Sequence, residues 1–121
     1  MPEGLYPLPE ARLSRKRREL APAIAESFAA FSKQVFADGA LPARTKQLIA
    51  VAIAHVTQCP YCIRGHTRGA LRAGASDAEI MEAIWVAAEM RAGGSYAHSL
   101  LALAEMDKWR AAPQHPMLLP E

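Results

Sequence analysis

The sequence predicts an all-α fold, a compact bundle of about five to six helices. Three observations carry this expectation. No stretch alternates apolar and polar residues with the two-residue period of a strand. Apolar side chains recur instead at intervals of three and four, as in Ile24, Phe28, Phe31 and Val35. The chain is also punctuated by residues that open or close helices, among them Pro42, Pro60, Ser76 and the glycines Gly39, Gly74 and Gly93-Gly94.

Taken in order, residues 1–13, with Pro2, Pro7 and Pro9, read as an extended N-terminal arm. A first helix starts at Ser14 or Pro22 and runs to Ala37, where Asp38-Gly39 ends it. A second starts near Pro42 and continues to about Thr57, with Leu48, Ile49, Ala52, Ile53 and Val56 as its apolar stripe. A third begins at the cysteine pair, with Pro60 in its first turn, and ends at Gly74. A fourth opens at Ser76, where Glu79 three residues on completes a capping box; it carries Ile80, Ile84, Trp85 and Ala88 and stops at Gly93-Gly94. A fifth starts after Ser95, carries Leu100, Leu101 and Ala104, and ends near Ala112. Pro113 and Pro116 keep residues 113–121 as a non-helical tail.

The short connections make sequential helices packing neighbours. The 121 residues suffice for a single domain with one core. Met81, Trp85, Leu118 and Leu119 are surplus hydrophobic surface for a chain of this size, which points to a homo-oligomer.

Composition narrows the function classes. With 51% hydrophobic and 21% charged residues, the chain is globular rather than disordered. No apolar run reaches the roughly 18 to 20 residues of a membrane span. The opening carries charges with no apolar stretch behind them, so no secretory signal is expected and the cytoplasm is the expected location. There a close cysteine pair is more often catalytic or metal-binding than structural. A net charge of +2 is too small to argue for nucleic acid, and the run Arg15, Lys16, Arg17, Arg18 reads as a solvated helix start. No Gly-rich phosphate loop and no second cysteine set is present, so no cofactor is expected.

The chemistry concentrates in residues 55–66, HVTQCPYCIRGH. With Pro60 in the first helical turn, Cys59 falls at the N-cap and Cys62 inside that turn. Unpaired backbone N–H groups and the helix dipole there favour thiolate over thiol. His66, four residues after Cys62, lies one turn on over the same face and can take the thiol proton or hold the thiolate. The same spacing lets the two cysteines close a disulfide. A zinc site is the competing reading: Cys59, Cys62 and His66 give three ligands, with His55 or His98 as a fourth, but no second cysteine knuckle exists. An inert buried pair also remains open. Around this centre, His98 follows the Gly-Gly break and His55 precedes Cys59 by four, and either could border the site. Tyr61 reads as a residue that shapes the pocket. Glu82 and Glu89 read as solvated or salt-bridged.

Residues 41–84, through C-P-Y-C-x-x-x-H and the following GAS..EI.EA, resemble the core of the carboxymuconolactone decarboxylase superfamily, and most closely its alkylhydroperoxidase D-like branch. The resemblance implies an all-helical fold, a trimeric or hexameric assembly and thiol-dependent peroxide reduction. Carried over, Cys62 becomes the sulfenic acid, Cys59 donates a proton and then resolves it, and His66 belongs to the proton relay. The substrate implied is a peroxide or small disulfide, and the reductant a thiol or redox partner protein, with no nucleic acid and no membrane involved. The decarboxylases themselves lack this dithiol, so lactone decarboxylation is not implied. Two departures stand out. The relay glutamate of that branch is Gln47 here, and a position that can be histidine there is Tyr61. An amide can orient a histidine but cannot hand on a proton. A metal-binding or structural oligomer, or a non-redox ligand-binding member of the superfamily, are the alternatives.

Overall fold

A computed structural model describes residues 4–8 and 10–113, and over these it is all-α. The helices are α1 (Ala11–Leu20), α2 (Pro22–Phe36), α3 (Ala43–Thr57), α4 (Pro60–Arg72) and α5 (Asp77–Ala111). Leu118, Leu119 and the end of the tail lie outside the described residues.

The boundaries follow local chemistry. Pro22 disfavours helical geometry in the residue before it, and Ala21 (φ −153°, ψ 72°) breaks the chain between α1 and α2. What the periodicity predicts as one helix is therefore two. The first already begins at Ala11, so residues 11–13 are helical rather than part of an extended arm. The Asp38 carboxylate accepts from the Ala43 backbone N–H at 2.7 Å, and Lys46 donates to the Ala37 carbonyl at 2.6 Å. These two bonds tie the α2–α3 connection down at both ends. Ser76 and Glu79 form the expected capping box, with Glu79 N–H donating to Ser76 Oγ at 3.1 Å and Ser76 N–H to Glu79 Oε1 at 2.9 Å.

The predicted stop at Gly93-Gly94 does not occur: α5 runs unbroken for 35 residues, about 50 Å. A glycine in a helix interior costs about 1 kcal/mol relative to alanine. Without a proline or a competing cap, that cost does not interrupt the backbone ladder.

The core lies where α3, α4 and the first half of α5 meet. Val51, Ala70, Ala75 and Ile80 form its centre, with Leu48 and Ile84 packed against them. No residue of α1 or α2 is buried, and none of α5 after Ala87. The apolar stripe expected on α3 is largely on the outside: Val51 and Ala54 are the buried pair, whereas Ile49, Ile53 and Val56 are exposed. The stripe of α2 is exposed as well, with Ile24 at 74% and Phe28 at 67%. Among the described residues no helix is long and apolar enough to cross a membrane.

The start of α5 gives a pH-dependent prediction. The Ser76 backbone N–H holds the Glu79 carboxyl below its ordinary value of 4.5, and the guanidinium of Arg44, 3.3 Å away, acts in the same direction. A carboxyl depressed in the folded state contributes stability above its unfolded-state value, and loses it as pH falls through the lower folded value. Denaturant unfolding should therefore show a loss of stability below about pH 4.5 that Glu79→Gln reduces. Ser76→Ala should lower stability by about 1 kcal/mol at neutral pH. A pH dependence identical in wild type and Glu79→Gln would contradict this account of the cap.

Candidate functional site

The turn between α3 and α4 is only two residues long, and it aims the cysteines. Gln58 takes the left-handed conformation (φ 57°, ψ 50°), which stops α3 and reverses the chain. Arg91 of α5 donates to the Val56 carbonyl at 2.7 Å, satisfying one of the open carbonyls at the end of α3. Cys59 then serves as N-cap of α4, and its Sγ accepts from the Cys62 backbone N–H at 3.2 Å. Cys59 and Cys62 are joined as a disulfide, with Cα atoms 5.2 Å apart.

One turn further along α4, His66 is held from two sides. Its Nδ1 pairs with Gln47 Oε1 of α3 at 2.9 Å. Phe36, the last residue of α2, stacks on its ring with centroids 4.9 Å apart and planes 26° from parallel. An amide oxygen only accepts, so this pairing places the proton on Nδ1 and leaves Nε2 as the free basic nitrogen. Gly69 makes the pairing sterically possible. A Cβ there would stand 2.5 Å from Gln47 Oε1 and 2.7 Å from its Cδ, closer than real contacts allow.

These groups open onto a cleft of about 500 Å³ between α2, α3 and α4. Cys62, His66 and Gln47 line it, with Phe36, Lys33 and Arg72 in its walls. Cys59 does not line it, so the two cysteines, both half-buried, are inequivalent: Cys62 borders the cleft and Cys59 does not.

The other candidates are placed apart. Tyr61 borders the cleft, but its hydroxyl donates to the Pro7 carbonyl at 2.6 Å and its ring meets Tyr6 edge-on, so it anchors the N-terminal segment. His55 pairs through Nδ1 with the Val51 carbonyl of its own helix at 2.7 Å and does not line the cleft. His98 is exposed on α5 and, because that helix continues through Gly93-Gly94, is not turned back toward the cysteines of its own chain. Glu82 and Glu89 are exposed on the same helix. Among the described residues no group of three or more His, Cys, Asp or Glu is placed to hold a metal ion. Phe36, Lys33, Gly69 and Arg72 escaped the sequence reading. The three-and-four spacing of Cys62, His66, Gly69 and Arg72 on one helix face could have found two of them, but nothing local announces α2 as a wall.

Fold and site together define an all-helical protein with a closable cysteine pair at a helix start and an oriented histidine one turn on. Residues 22–105 match the model of the carboxymuconolactone decarboxylase family, and the chain belongs to that family. A protein of Paracoccus denitrificans described as uncharacterised protein 4 in the cox locus is 68% identical over 85 residues, which are 70% of this chain and 77% of that one. A carboxymuconolactone decarboxylase family protein of Legionella pneumophila is structurally similar with a TM-score of 0.64 and 31% identity, covering 80% of this chain and 87% of that one. A family member from Thermotoga maritima, described as a candidate for the antioxidative response, gives a TM-score of 0.52 at 29% identity, over 71% of this chain and 95% of that one.

Two substitutions test the histidine's support. Gly69→Ala should push the Gln47 amide off His66 and slow thiol modification of the reduced protein at least about tenfold, since a positioned base contributes roughly 10² to 10⁴-fold. Gly65→Ala, where an added methyl meets nothing, is its control. Gln47→Glu, isosteric and facing the same nitrogen, should raise the rate more than about tenfold by letting His66 accept a proton more readily. Thermal stability is followed in parallel, because a half-buried carboxylate must be desolvated. Unchanged rates in folded variants would separate the Gln47–His66 pair from thiol reactivity.

Proposed function

We propose that this protein is a thiol-dependent oxidoreductase that reduces a hydroperoxide, or a small disulfide, with Cys59 and Cys62. The observation that carries this reading is the inequivalence of the two sulfurs: a pair able to close a disulfide, of which Cys62 alone opens on the cleft that His66 also lines. The family membership and the antioxidative description of the Thermotoga maritima relative support it.

In the reduced protein, His66 Nε2 takes the proton of Cys62. The positive end of α4 favours the thiolate so formed. Cys62 Sγ attacks the terminal peroxide oxygen, the O–O bond breaks, and Cys62 becomes a sulfenic acid. The departing alkoxide takes the proton of Cys59 and leaves as the alcohol. Cys59 thiolate then attacks Cys62 Sγ, and the expelled hydroxide takes the proton held by His66 and leaves as water. Two thiols and ROOH thus give one disulfide, ROH and H₂O. An external dithiol or a redox partner protein returns two electrons by thiol–disulfide exchange. Gln47 acts throughout as a positioning residue, since its amide carries no proton between groups. A reducing compartment such as the cytoplasm suits this cycle.

We propose further that the protein works as a homo-oligomer, a trimer or hexamer. The exposed stripe of α2 and the exposed second half of α5, with Leu100 at 69% and Leu101 at 70%, are the surfaces such an assembly would cover.

Peroxide consumption with a dithiol reductant should be abolished in Cys62→Ser. Cys59→Ser should still consume one equivalent of peroxide and form a trappable sulfenic acid, but not turn over. Equal turnover in wild type and Cys62→Ser would sink the proposal. Light scattering at micromolar concentration should give a multiple of the 13.1 kDa chain mass, and a single-chain mass would end the oligomer reading.

A further inference from the structure

The walls of the cleft are charged on one side of the ledger only. Lys33 enters from α2 and Arg72 from α4, and no aspartate or glutamate lines it. Among the described residues neither cation makes an ion pair; the ion pair present is Arg44–Glu79, at the start of α5. Helix α4 carries no acidic residue, and of its three arginines, Arg64, Arg68 and Arg72, the last lines the cleft.

The layout along α4 adds a length. Cys62 and Arg72 are ten residues apart, about 15 Å along the axis. Helical side chains lean toward the N-terminus, so the Arg72 stem points back toward the cysteine end and shortens that span to about 10 Å. Between the two, Gly65 and Gly69 present no side chain to the cleft. A Cβ on Gly65 would meet nothing within 4 Å, so the floor beside Cys62 is bare. Lys33 lies three residues before Phe36, the ring that covers His66, which brings its ammonium to the same cleft from the opposite wall.

We propose that the cleft selects an elongated oxidant with an anionic group, such as a carboxylate, about 10 Å from its reactive O–O or S–S bond, and that Lys33 and Arg72 bind that anion. This rests on the redox reading of Cys59 and Cys62 and names the substrate class for it: a carboxylate-bearing organic hydroperoxide, or an anionic disulfide. The chemistry is unchanged, with the peroxide reduced to the alcohol and water as the two thiols become the disulfide. The cations hold the far end while Cys62 attacks the near one.

The test compares charge at constant shape. Reduced protein is mixed, at low salt, with a medium-chain aliphatic carboxylic acid bearing a hydroperoxide at the far end, and separately with its methyl ester, and disulfide formation is timed. Wild type should react about tenfold faster with the acid, the scale that two exposed ion pairs supply. The ratio should collapse toward one in Lys33→Gln/Arg72→Gln and at high salt, and should be partly retained in Arg72→Lys. A second arm needs no peroxidase activity. Cys62 is modified with the disulfide of 8-mercaptooctanoic acid and with that of its methyl ester, each rate normalised to that of a free thiol. If neither hydroperoxide reacts, the peroxidase reading fails, and the disulfide arm still decides the anion site. A preference for the anionic reagent that the double variant loses supports the site. Equal rates for acid and ester, or a preference that survives the double variant in folded protein, overturn it.

Discussion

The close approach of α3 and α4 is the constraint on which both the core and the site depend. Two adjacent residues of α4 make it possible. Ala70 is fully buried against Val51 of α3 at the centre of the core. Gly69, beside it, leaves the space that the Gln47 amide fills. A larger residue at 70 would force the helices apart, and any side chain at 69 would displace the group that orients His66. Packing and chemistry are thus set by the same interhelical distance. That distance depends in turn on the two-residue turn at Gln58-Cys59, which allows α4 to fold back directly on α3.

Sequence reading succeeded where a boundary has its own local chemistry. The Cys59–Pro60 start of α4 and the Ser76–Glu79 box are specified by residues within one turn of each other, and both are found where those residues put them. Reading failed where the outcome is a balance. Two glycines weaken a helix without ending it, so Gly93-Gly94 did not divide α5. Periodicity also located apolar faces without saying which would be buried. On an alanine-rich helix both sides look apolar, and in α3 the smaller residues, Val51 and Ala54, took the interior while Ile49, Ile53 and Val56 stayed outside. In the site, Cys62 and His66 are legible because their spacing is intrahelical. Gln47 came from the family resemblance, and Phe36 and Lys33 depend on the placement of α2, which no local pattern records.

The distribution of burial is uneven in a way that bears on assembly. The centre of the core is one valine, one isoleucine and two alanines. Much larger side chains, Phe28, Phe31, Trp85 and Trp109 among them, are exposed. Hydrophobic stabilisation scales with area removed from water, so most of the apolar area this sequence carries contributes little within a single chain. α1, α2 and the second half of α5 have few partners of their own. The cleft inherits this, because Phe36 and Lys33 belong to α2, and anything that fixes α2 also fixes the wall over His66.

Gln47 gives the electrostatics of the site their character. A carboxylate in its place would put a negative charge against the imidazole and partly offset the positive field along α4. A neutral amide fixes the same tautomer through the same geometry and leaves that field intact. The field has two sources: the unpaired N–H groups of the first turn of α4, close to Cys62, and the side chains of Lys33 and Arg72 in the walls of the cleft. In the proposed cycle the first favours the Cys62 thiolate and the second an anion entering the cleft. In that cycle the amide would exchange one means of activating Cys62, a strong base behind the histidine, for another, an uncancelled positive environment that acts on nucleophile and incoming oxidant together.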